Sequence, residues 1–360
     1  MTLKKYHYYI YSQFIKSFLL ISLVFFSIVI IVNFFEEIRF AEKYNTETYF
    51  TIYLSFLNAP TLMFEIFPFI FLLTIKFFYL NLEDKNELEV FKTNGISNLK
   101  LIYLLTLLTS IIGIIILIFY YSLSSKLQSK YLDIKNKFSN NNEYLAVVKD
   151  DGLWIKEERE KNLFIIHAEK FDKDSLQNVT ITEASEYYNN KSTINAEKAN
   201  VSSKNWLLNN VTLLSEEGEK KNLKSFVYNS SFNEEIISNL FSNLNSLNIY
   251  QLHKLSNNYS KIGYSNTEVK IHLNKIYSMP IFYMLMTILG FIMINKLKII
   301  KSRFFTIIFG ILFSVLIYYI NYFSGLLGNN GVLPIYLSVW VPLLLIFLIC
   351  MIGIIKINEN

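Results

Sequence analysis

The stretch FIKSFLLISLVFFSIVIIVNFF, residues 14–35, contains a single charged residue, Lys16, in an otherwise apolar run. A membrane-spanning helix needs about 20 mostly apolar residues, each rising about 1.5 Å. Lys4 and Lys5 precede the run, as they would in a secretory signal. However, its apolar part is far longer than the roughly 7–15-residue core of a signal peptide, and no small-residue cleavage site follows it. We therefore interpret it as an uncleaved membrane span.

Five further stretches have the same character. They are residues 54–80, 101–123, 276–294, 304–323 and 332–355. The whole chain is 52% hydrophobic and 16% aromatic, with a mean hydropathy of +0.31, and soluble proteins rarely reach such values. The single cysteine, Cys350, lies in an apolar run, which excludes an intrachain disulfide and a cysteine-based metal site. The sequence therefore predicts a membrane protein with six spans.

The basic residues that flank these spans lie mostly on one side. That side holds Lys4, Lys5, Lys16, Lys76, Lys85, Lys92, Lys100, Lys296, Lys298, Lys301, Arg303 and Lys356. The short connections on the other side offer only Arg39 and Lys43. Because basic residues accumulate in cytoplasmic loops, both chain termini and the 81–100 connection are predicted to be cytoplasmic.

The long connection between the third and fourth spans is accordingly predicted to be external, and its pattern differs from that of the spans. It contains short runs rich in β-branched and aromatic residues, bounded by Asn, Asp, Gly and Lys. These runs are EYLAVV (143–148), GLWIKEE (152–158), NLFIIHAEKF (162–171), NVTITEAS (178–185), STINAEKANV (192–201), NWLLNNVTLL (205–214) and LKSFVYNSSF (223–232). Such a series is typical of a sandwich or a jelly-roll-like all-β domain.

The predicted fold is thus an α-helical polytopic membrane protein with an inserted, external, all-β jelly-roll-like domain. Residues 1–123 hold transmembrane helices 1–3, with a short cytoplasmic helix at about 82–95. Residues 124–264 hold the β domain, which ends in a short amphipathic helix. Residues 265–360 hold transmembrane helices 4–6. Ser265 and Glu268 have the spacing of a capping box at the start of the fourth span.

No motif of enzyme chemistry is found in this sequence. It lacks the G-x-x-x-x-G-K-[ST] phosphate-binding loop, so we expect no ATPase activity from the chain itself. Its four histidines are scattered, without the spacing of a zinc site, and His167 in a predicted strand is interpreted as structural. We expect no catalytic residues, no metal, no cofactor and no nucleic-acid partner.

Charged residues inside or beside the spans are better candidates for function, because an unpaired ionisable group in hydrocarbon costs several kcal/mol. Glu65 lies deep in the second span, where it either meets a polar partner or faces a hydrated cavity. Lys16 and Lys76 lie near cytoplasmic ends and are expected to extend to the headgroups. Arg39 and Lys43 oppose the charge bias, which suggests an anionic partner. The alternative is a solvated loop in which both cations pair with nearby acids.

The connection NLEDKNELEVFKTNGISNLK, residues 81–100, is too charged to enter a bilayer and too short to form a domain. Its charged and apolar residues at helical spacing predict a short helix with an anchoring face; these residues are Glu87, Leu88, Phe91 and Lys92. Gly95 can end this helix with a left-handed C-cap. The pattern by itself also fits a solvated amphipathic loop helix.

Several stretches together resemble the LptF/LptG permeases, the membrane subunits of the lipopolysaccharide exporter. They are APTLMFEIFPFIFLL (59–73), NELEVFKTNGIS (86–97), GLWIKEE (152–158), FIIHAEKF (164–171), IHLNKIYSMPI (271–281) and LGNNGVLPIYLSVWVPLLL (327–345). They occur in the family's order and cover nearly the whole chain. The prolines around Glu65 and the GLWIKEE stretch are more similar to LptG than to LptF. The chain departs from the family at Asn86, where Ser is usual, and at LLL after WVP, where Asn-Leu is common.

The resemblance implies a permease subunit of an ABC-type exporter in the bacterial inner membrane, with its β domain in the periplasm. The implied partners are a cytoplasmic LptB-like ATPase dimer, a second LptF-like permease, an LptC/LptA-like periplasmic β bridge, and lipopolysaccharide. Spans one and five would form lateral gates. Glu87 would make the main polar contact with the ATPase and Leu88 and Phe91 the apolar ones, supported by Lys92 and Gly95.

The resemblance also implies where the lipid binds. Arg39 and Lys43 would meet lipid A phosphates near the outer surface, with Glu65 as a further lipid-site residue. Leu153, Ile155 and Ile165 would line an apolar groove in the β domain. Two alternatives are an ABC permease for another lipid, lipoprotein or peptide, and a membrane receptor whose β domain binds a ligand. The former usually has four spans, with its soluble domain after the first.

Overall fold

The computed structural model describes residues 5–44, 46–138, 153–159, 162–172, 174–184, 190–215, 219–234, 237, 243–261, 265–296 and 303–358. The chain divides into two compact units. The first comprises Met1–Leu127 and Lys270–Asn360, and the second comprises Gln128–Val269. The predicted strand at 143–148 and the connection between the fourth and fifth spans lie outside the described residues.

Nine α-helices are formed by the described residues. They are α1 (Lys5–Tyr44), α2 (Thr48–Asp84), α3 (Glu87–Thr93), α4 (Asn98–Ile115), α5 (Tyr121–Phe138), α6 (Ile249–Lys261), α7 (Thr267–Lys296), α8 (Arg303–Asn329) and α9 (Ile335–Asn358). A π-helical turn, Ile116–Tyr120, joins α4 to α5, and a 3₁₀ turn, Leu244–Ser246, precedes α6. A π turn inserts one residue into the helical repeat without ending the helix.

Six helical stretches are long and apolar enough to cross a membrane. They are Lys5–Tyr44, Thr48–Asp84, Asn98–Lys135, Thr267–Ile294, Ile307–Asn329 and Ile335–Ile357. The prediction of six spans, three before and three after the inserted domain, is therefore confirmed. Because lipid cannot hydrogen-bond to the backbone, such segments satisfy their own N–H and C=O groups by forming helices.

The spans differ greatly in burial. In α2, 72% of the most apolar window is buried within the chain, against 6% in α1 and 17% in α8. Helix α2 is therefore the centre of the helical unit, and α1 and α8 lie at its periphery. The apolar core beside α2 includes Leu72, Met286, Leu289, Ile317 and Leu343.

The second unit contains a six-stranded antiparallel sheet in which consecutive strands are neighbours. The strands are β1 (Leu153–Arg159), β2 (Asn162–Asp172), β3 (Ser175–Ala184), β4 (Asn190–Asn200), β5 (Asn205–Ser215) and β6 (Lys220–Asn229). The all-β insertion is thus confirmed. Its described strands follow one another as an up-and-down meander, so consecutive pairing, and not a long crossover, holds this sheet together.

One face of the sheet forms an apolar core that includes Leu153, Ile155, Ile166, Leu208 and Trp206. The prediction that Leu153 and Ile155 point inward is confirmed. The prediction for Ile165 is wrong: it pairs with Lys156 on the other face, whereas Ile166 pairs with Ile155. Because side chains alternate along a strand, only one of two consecutive isoleucines can face the core, and the pairing register selects Ile166.

The inward and outward alternation shifts by one residue in five neighbouring strands. In each strand two exposed residues separate two core residues, giving the tetrads AEKF (168–171), LQNV (176–179), AEKA (196–199), LNNV (208–211) and LKSF (223–226). The register places the exposed pairs beside one another across the sheet. We call residues 169–170, 177–178, 197–198, 209–210 and 224–225 the polar row.

Two asparagines in the polar row adopt left-handed backbone conformations. Asn178 has φ 49° and Asn210 has φ 52°. The Nδ2 of Asn178 donates to Glu169 Oε2 at 2.6 Å, and the Nδ2 of Asn210 donates to Glu197 Oε2, also at 2.6 Å. Asparagine tolerates positive φ better than other residues with a Cβ, so these two positions let the alternation shift within a continuous strand.

The left-handed conformation predicts a position-specific effect on stability. Replacing Asn210 by Val should lower the free energy of unfolding by about 1–3 kcal/mol, because a β-branched residue is strained at positive φ. Asn209→Val is the matched control, since Asn209 is exposed on the same strand and pairs regularly with Lys198 and Ser225. Chemical unfolding of the full chain in detergent measures both. Equal stability of the two variants would contradict the prediction.

Candidate functional site

Helix α3 is short but has defined ends. It begins after Asn86, whose φ is 57°. It ends with two backbone hydrogen bonds, from Gly95 N–H to Lys92 O (3.0 Å) and from Ile96 N–H to Phe91 O (2.9 Å). With Gly95 at φ 76°, this is a Schellman motif, and the predicted left-handed cap is confirmed. Ile96 is buried beyond the cap, which fixes the direction in which the chain turns into α4.

One face of α3 is fastened to the beginning of α1. The hydroxyl of Tyr9 donates to Glu87 Oε1 at 2.6 Å. The rings of Tyr9 and Phe91, one turn further along α3, have centroids 6.5 Å apart. The other oxygen, Oε2, is buried and has no hydrogen-bond partner among the described residues. The inward face of α3 therefore combines a polar and an aromatic contact with the same tyrosine.

The opposite face of α3 is exposed. Glu89 and Lys92 are exposed, and Val90 is 55% exposed, whereas Leu88 is half-buried. The resemblance implies a contact of Glu87, Leu88 and Phe91 with an ATPase. The structure brings Glu87 and Phe91 to α1 and leaves Val90, next to Glu89, as an exposed apolar side chain of this helix.

A second contact joins the same part of α1 to the other side of the α3 connection. The Lys100 amine lies over the Tyr6 ring, 5.6 Å from its centroid. An ammonium group at this distance is attracted by the negative face of the ring. Helix α1 thus contacts both α3 and the start of α4 through its first two turns.

Near its C-terminal end, α1 has one buried polar face and one exposed basic face. Asn33 and Glu37 are buried, and Asn58 Nδ2 of α2 donates to Asn33 Oδ1 at 3.0 Å. Arg39 and Lys43, four residues apart on one face, are exposed. Lys43 lies over the ring of Tyr44 at 5.3 Å. The structure therefore places the two predicted lipid-site cations together on the outward surface of α1.

An apolar strip precedes these cations on the exposed side of α1. Ile28, Ile31, Val32 and Phe35 are all large, exposed hydrophobic residues. Phe35, the last residue of the strip, lies about one helical turn before Arg39. A lipid with acyl chains and a phosphorylated headgroup has the same order of apolar and anionic parts, so this surface fits such a ligand chemically.

Glu65 lies apart from Arg39 and Lys43. It is half-buried and close enough to Lys275 of α7 and Tyr318 of α8 to interact with them electrostatically. Since Asn33 and Asn58 are in contact, the residue counts along α1 and α2 separate Arg39 from Glu65 by about 20 Å along the helix axes. Of the two alternatives for Glu65, the structure favours polar partners inside the helical unit.

Two lysines meet glycines of α8. Lys76 is 1% exposed, and its amine occupies the space beside Gly310, where a Cβ would collide with it. The Lys275 amine lies 2.6 Å from the position a Cβ would take at Gly325. The expectation that Lys76 extends to the headgroups is therefore wrong, because the missing side chain of Gly310 makes room for it. Lys16 is exposed, as expected.

The sequence did not predict the contacts of Tyr9 and Lys275. Tyr9 lies in the run YHYYIY, in which tyrosine spacing gives no means of choosing one ring. Lys275 immediately precedes the predicted fourth span, where a lysine is expected to flank the membrane and not to enter the helical unit. Gly310 and Gly325, isolated glycines in an apolar helix, were the available signal for a close approach by a neighbouring side chain.

The second unit adds no chemical centre among its described residues. On the outer face of the sheet, the His167 ring packs against Trp154 with centroids 4.2 Å apart. This contact agrees with the structural role expected for His167. Within the described part of the chain, no three His, Cys, Asp or Glu residues are grouped so that they could hold a metal ion.

Comparison with known proteins identifies the family. The family model described as "Lipopolysaccharide export system permease LptF/LptG" matches residues 8–356. A search of curated proteins found no match to this chain. The family match extends over all six spans and the inserted sheet. The chain therefore belongs to the LptF/LptG family of lipopolysaccharide export permeases.

Proposed function

We propose that this chain is one permease subunit of an ABC-type exporter that takes lipopolysaccharide from the inner membrane and passes it to a periplasmic bridge. A separate ATPase supplies the energy. The observation that carries this proposal is α3, a capped helix between two spans that is fastened to the chain on one face and exposed on the other. A transporter subunit without an ATPase of its own needs such a connector, whereas a membrane receptor does not.

The orientation follows from the charge distribution. Both chain termini and α3 lie in the cytoplasm, because most of the cations that flank the spans are on that side. The β-sheet unit then lies in the periplasm and the six spans in the bacterial inner membrane. This orientation puts α3 within reach of a cytoplasmic ATPase and puts Arg39 and Lys43 near the outer leaflet.

The ATPase contact involves the helix identified from the sequence, through Glu87, Leu88, Phe91, Lys92 and Gly95. The exposed Val90 and the charges beside it form the first contact with a groove on an LptB-like dimer. Glu87 and Phe91 contribute from the inner face of the helix. Gly95, in its left-handed conformation, fixes the direction in which the chain leaves the helix. This division of roles is supported by the exposure of each side chain.

The lipid contact uses the exposed side of α1. Lipid A phosphates bind Arg39 and Lys43, since guanidinium and ammonium groups both bind phosphate. The acyl chains lie along the apolar strip that includes Val32 and Phe35. Glu65 contributes indirectly, by holding the inner part of the unit through its polar neighbours on α7 and α8.

A second, LptF-like permease completes the cavity. Helices α1 and α8 are the least buried spans, and α8 exposes a row of large apolar residues that includes Leu312, Leu316, Tyr319 and Phe323. These two helices form the lateral gates against the partner subunit. The β-sheet unit then receives the lipid on its apolar face and passes it to an LptC/LptA-like bridge. The similarity of the Glu65 region favours LptG for this chain.

Co-purification from detergent tests the assignment. We expect the wild-type chain to bring down an ATP-binding subunit and a second six-span protein. Glu87→Ala with Phe91→Ala should lose the ATPase and keep the second permease, because both side chains belong to the proposed ATPase contact. Glu268→Ala is the control, since Glu268 is exposed on the first turn of α7 at the predicted periplasmic side. A wild-type chain that purifies alone would contradict the exporter assignment.

Charge reversal on α1 tests the lipid site. Arg39→Glu with Lys43→Glu should reduce lipid release and lipid-stimulated ATP hydrolysis by roughly tenfold or more, because two attractive phosphate contacts become repulsive. Lys16→Glu, an exposed cation at the other end of α1, is the matched control and should change neither activity. Unchanged lipid release in the Arg39/Lys43 variant would show that this surface does not bind lipid phosphate.

A further inference from the structure

The link between α1 and α3 joins the two candidate sites through one continuous helix. Helix α1 runs from Lys5 to Tyr44 without a proline. Tyr9, at its beginning, contacts Glu87 and Phe91 of α3. Arg39 and Lys43, near its end, carry the outer cationic surface. At about 1.5 Å per residue, Tyr9 and Arg39 lie about 45 Å apart on the same rod.

The contact at Tyr9 is strong enough to transmit a displacement. A phenol hydroxyl donating to a carboxylate makes a charge-assisted hydrogen bond, and such bonds are stronger than those between two neutral groups. Here the bond is 2.6 Å long and is accompanied by the ring contact with Phe91. A tyrosine side chain has only two rotatable bonds before its ring, so a displacement of α3 is passed to α1 with little change in the side chain itself.

Helix α1 packs against α2 on one side and is exposed on the other, whereas α2 is buried over most of its surface. In the most apolar 18-residue segment of each helix, 6% of α1 is buried within the chain, against 72% of α2. Helix α2 also contains Pro60 and Pro68, each of which lacks a backbone N–H donor. A displacement of α3 that entered through α2 would meet a packed core. One that enters through Tyr9 moves a long, peripheral helix.

We propose that Tyr9 is a positioning residue that couples α3 to α1, so that motion of α3 moves the outer cationic surface during lipid export. This inference rests on the proposed function, because it takes α3 as the ATPase-docking helix. It assigns a role to a residue outside the docking helix and outside the lipid surface. Tyr9 contacts neither ATPase nor lipid; it acts through Glu87.

Removing one oxygen atom tests this role. Tyr9→Phe keeps the ring beside Phe91 and removes the hydroxyl that donates a hydrogen bond to Glu87. We expect the purified complex to bind its ATPase subunit and to hydrolyse ATP as the wild type does. Lipid released per ATP hydrolysed should fall by roughly tenfold, the factor that corresponds to loss of one hydrogen bond to a charged group. Tyr8→Phe is the matched control, because Tyr8 is the adjacent residue and is 75% exposed.

The readouts separate this inference from the proposed function. A wild-type complex without ATPase or without lipid release would refute the proposed function itself. If the wild type exports lipid and Tyr9→Phe retains the full ratio of lipid to ATP, the coupling role of Tyr9 is refuted. Loss of ATPase binding in Tyr9→Phe would also refute it, because Tyr9 would then act on docking and not on transmission. A temperature of unfolding equal to that of the wild type shows that the variant is folded.

Discussion

Hydrocarbon offers no hydrogen-bond partner, so every polar group in the spans must find one within the protein. The helical unit is arranged around this constraint. Asn33 meets Asn58 between α1 and α2, and Thr109 meets Thr287 between α4 and α7. Lys76 enters the space left by Gly310. Asn33, Thr109 and Lys76 lie on inward faces of their helices together with the apolar core residues.

The same constraint explains which helices are available for function. Helix α2, which carries Lys76, Glu65 and Asn58, is the most buried of the spans. Helix α1 turns Asn33 and Glu37 inward and keeps Arg39 and Lys43 on its exposed side. It is therefore held on one side and exposed on the other along most of its length. The proposed lipid contact lies on this exposed side of α1.

The sequence was sufficient for the features that depend on local pattern. Apolar runs predicted the six spans, and β-branched runs predicted the described strands. Gly95 predicted the cap of α3, because only a left-handed residue can make the turn seen there. Features that depend on pairing across the chain were less accessible. The choice between Ile165 and Ile166 required the register, and the inward position of Glu87 required knowledge of Tyr9, 78 residues away.

The polar row has a consequence for how this sheet can evolve. Each strand changes the phase of its alternation at the same level, so the apolar residues above and below the row belong to two differently phased halves. A single strand that reverted to strict alternation would turn half of its apolar side chains to solvent while its neighbours kept theirs inside. A change in one tetrad therefore requires matching changes in the other four. Related chains should keep or lose all five tetrads together, although β2 and β6, the outermost strands that carry one, are not neighbours in the sheet.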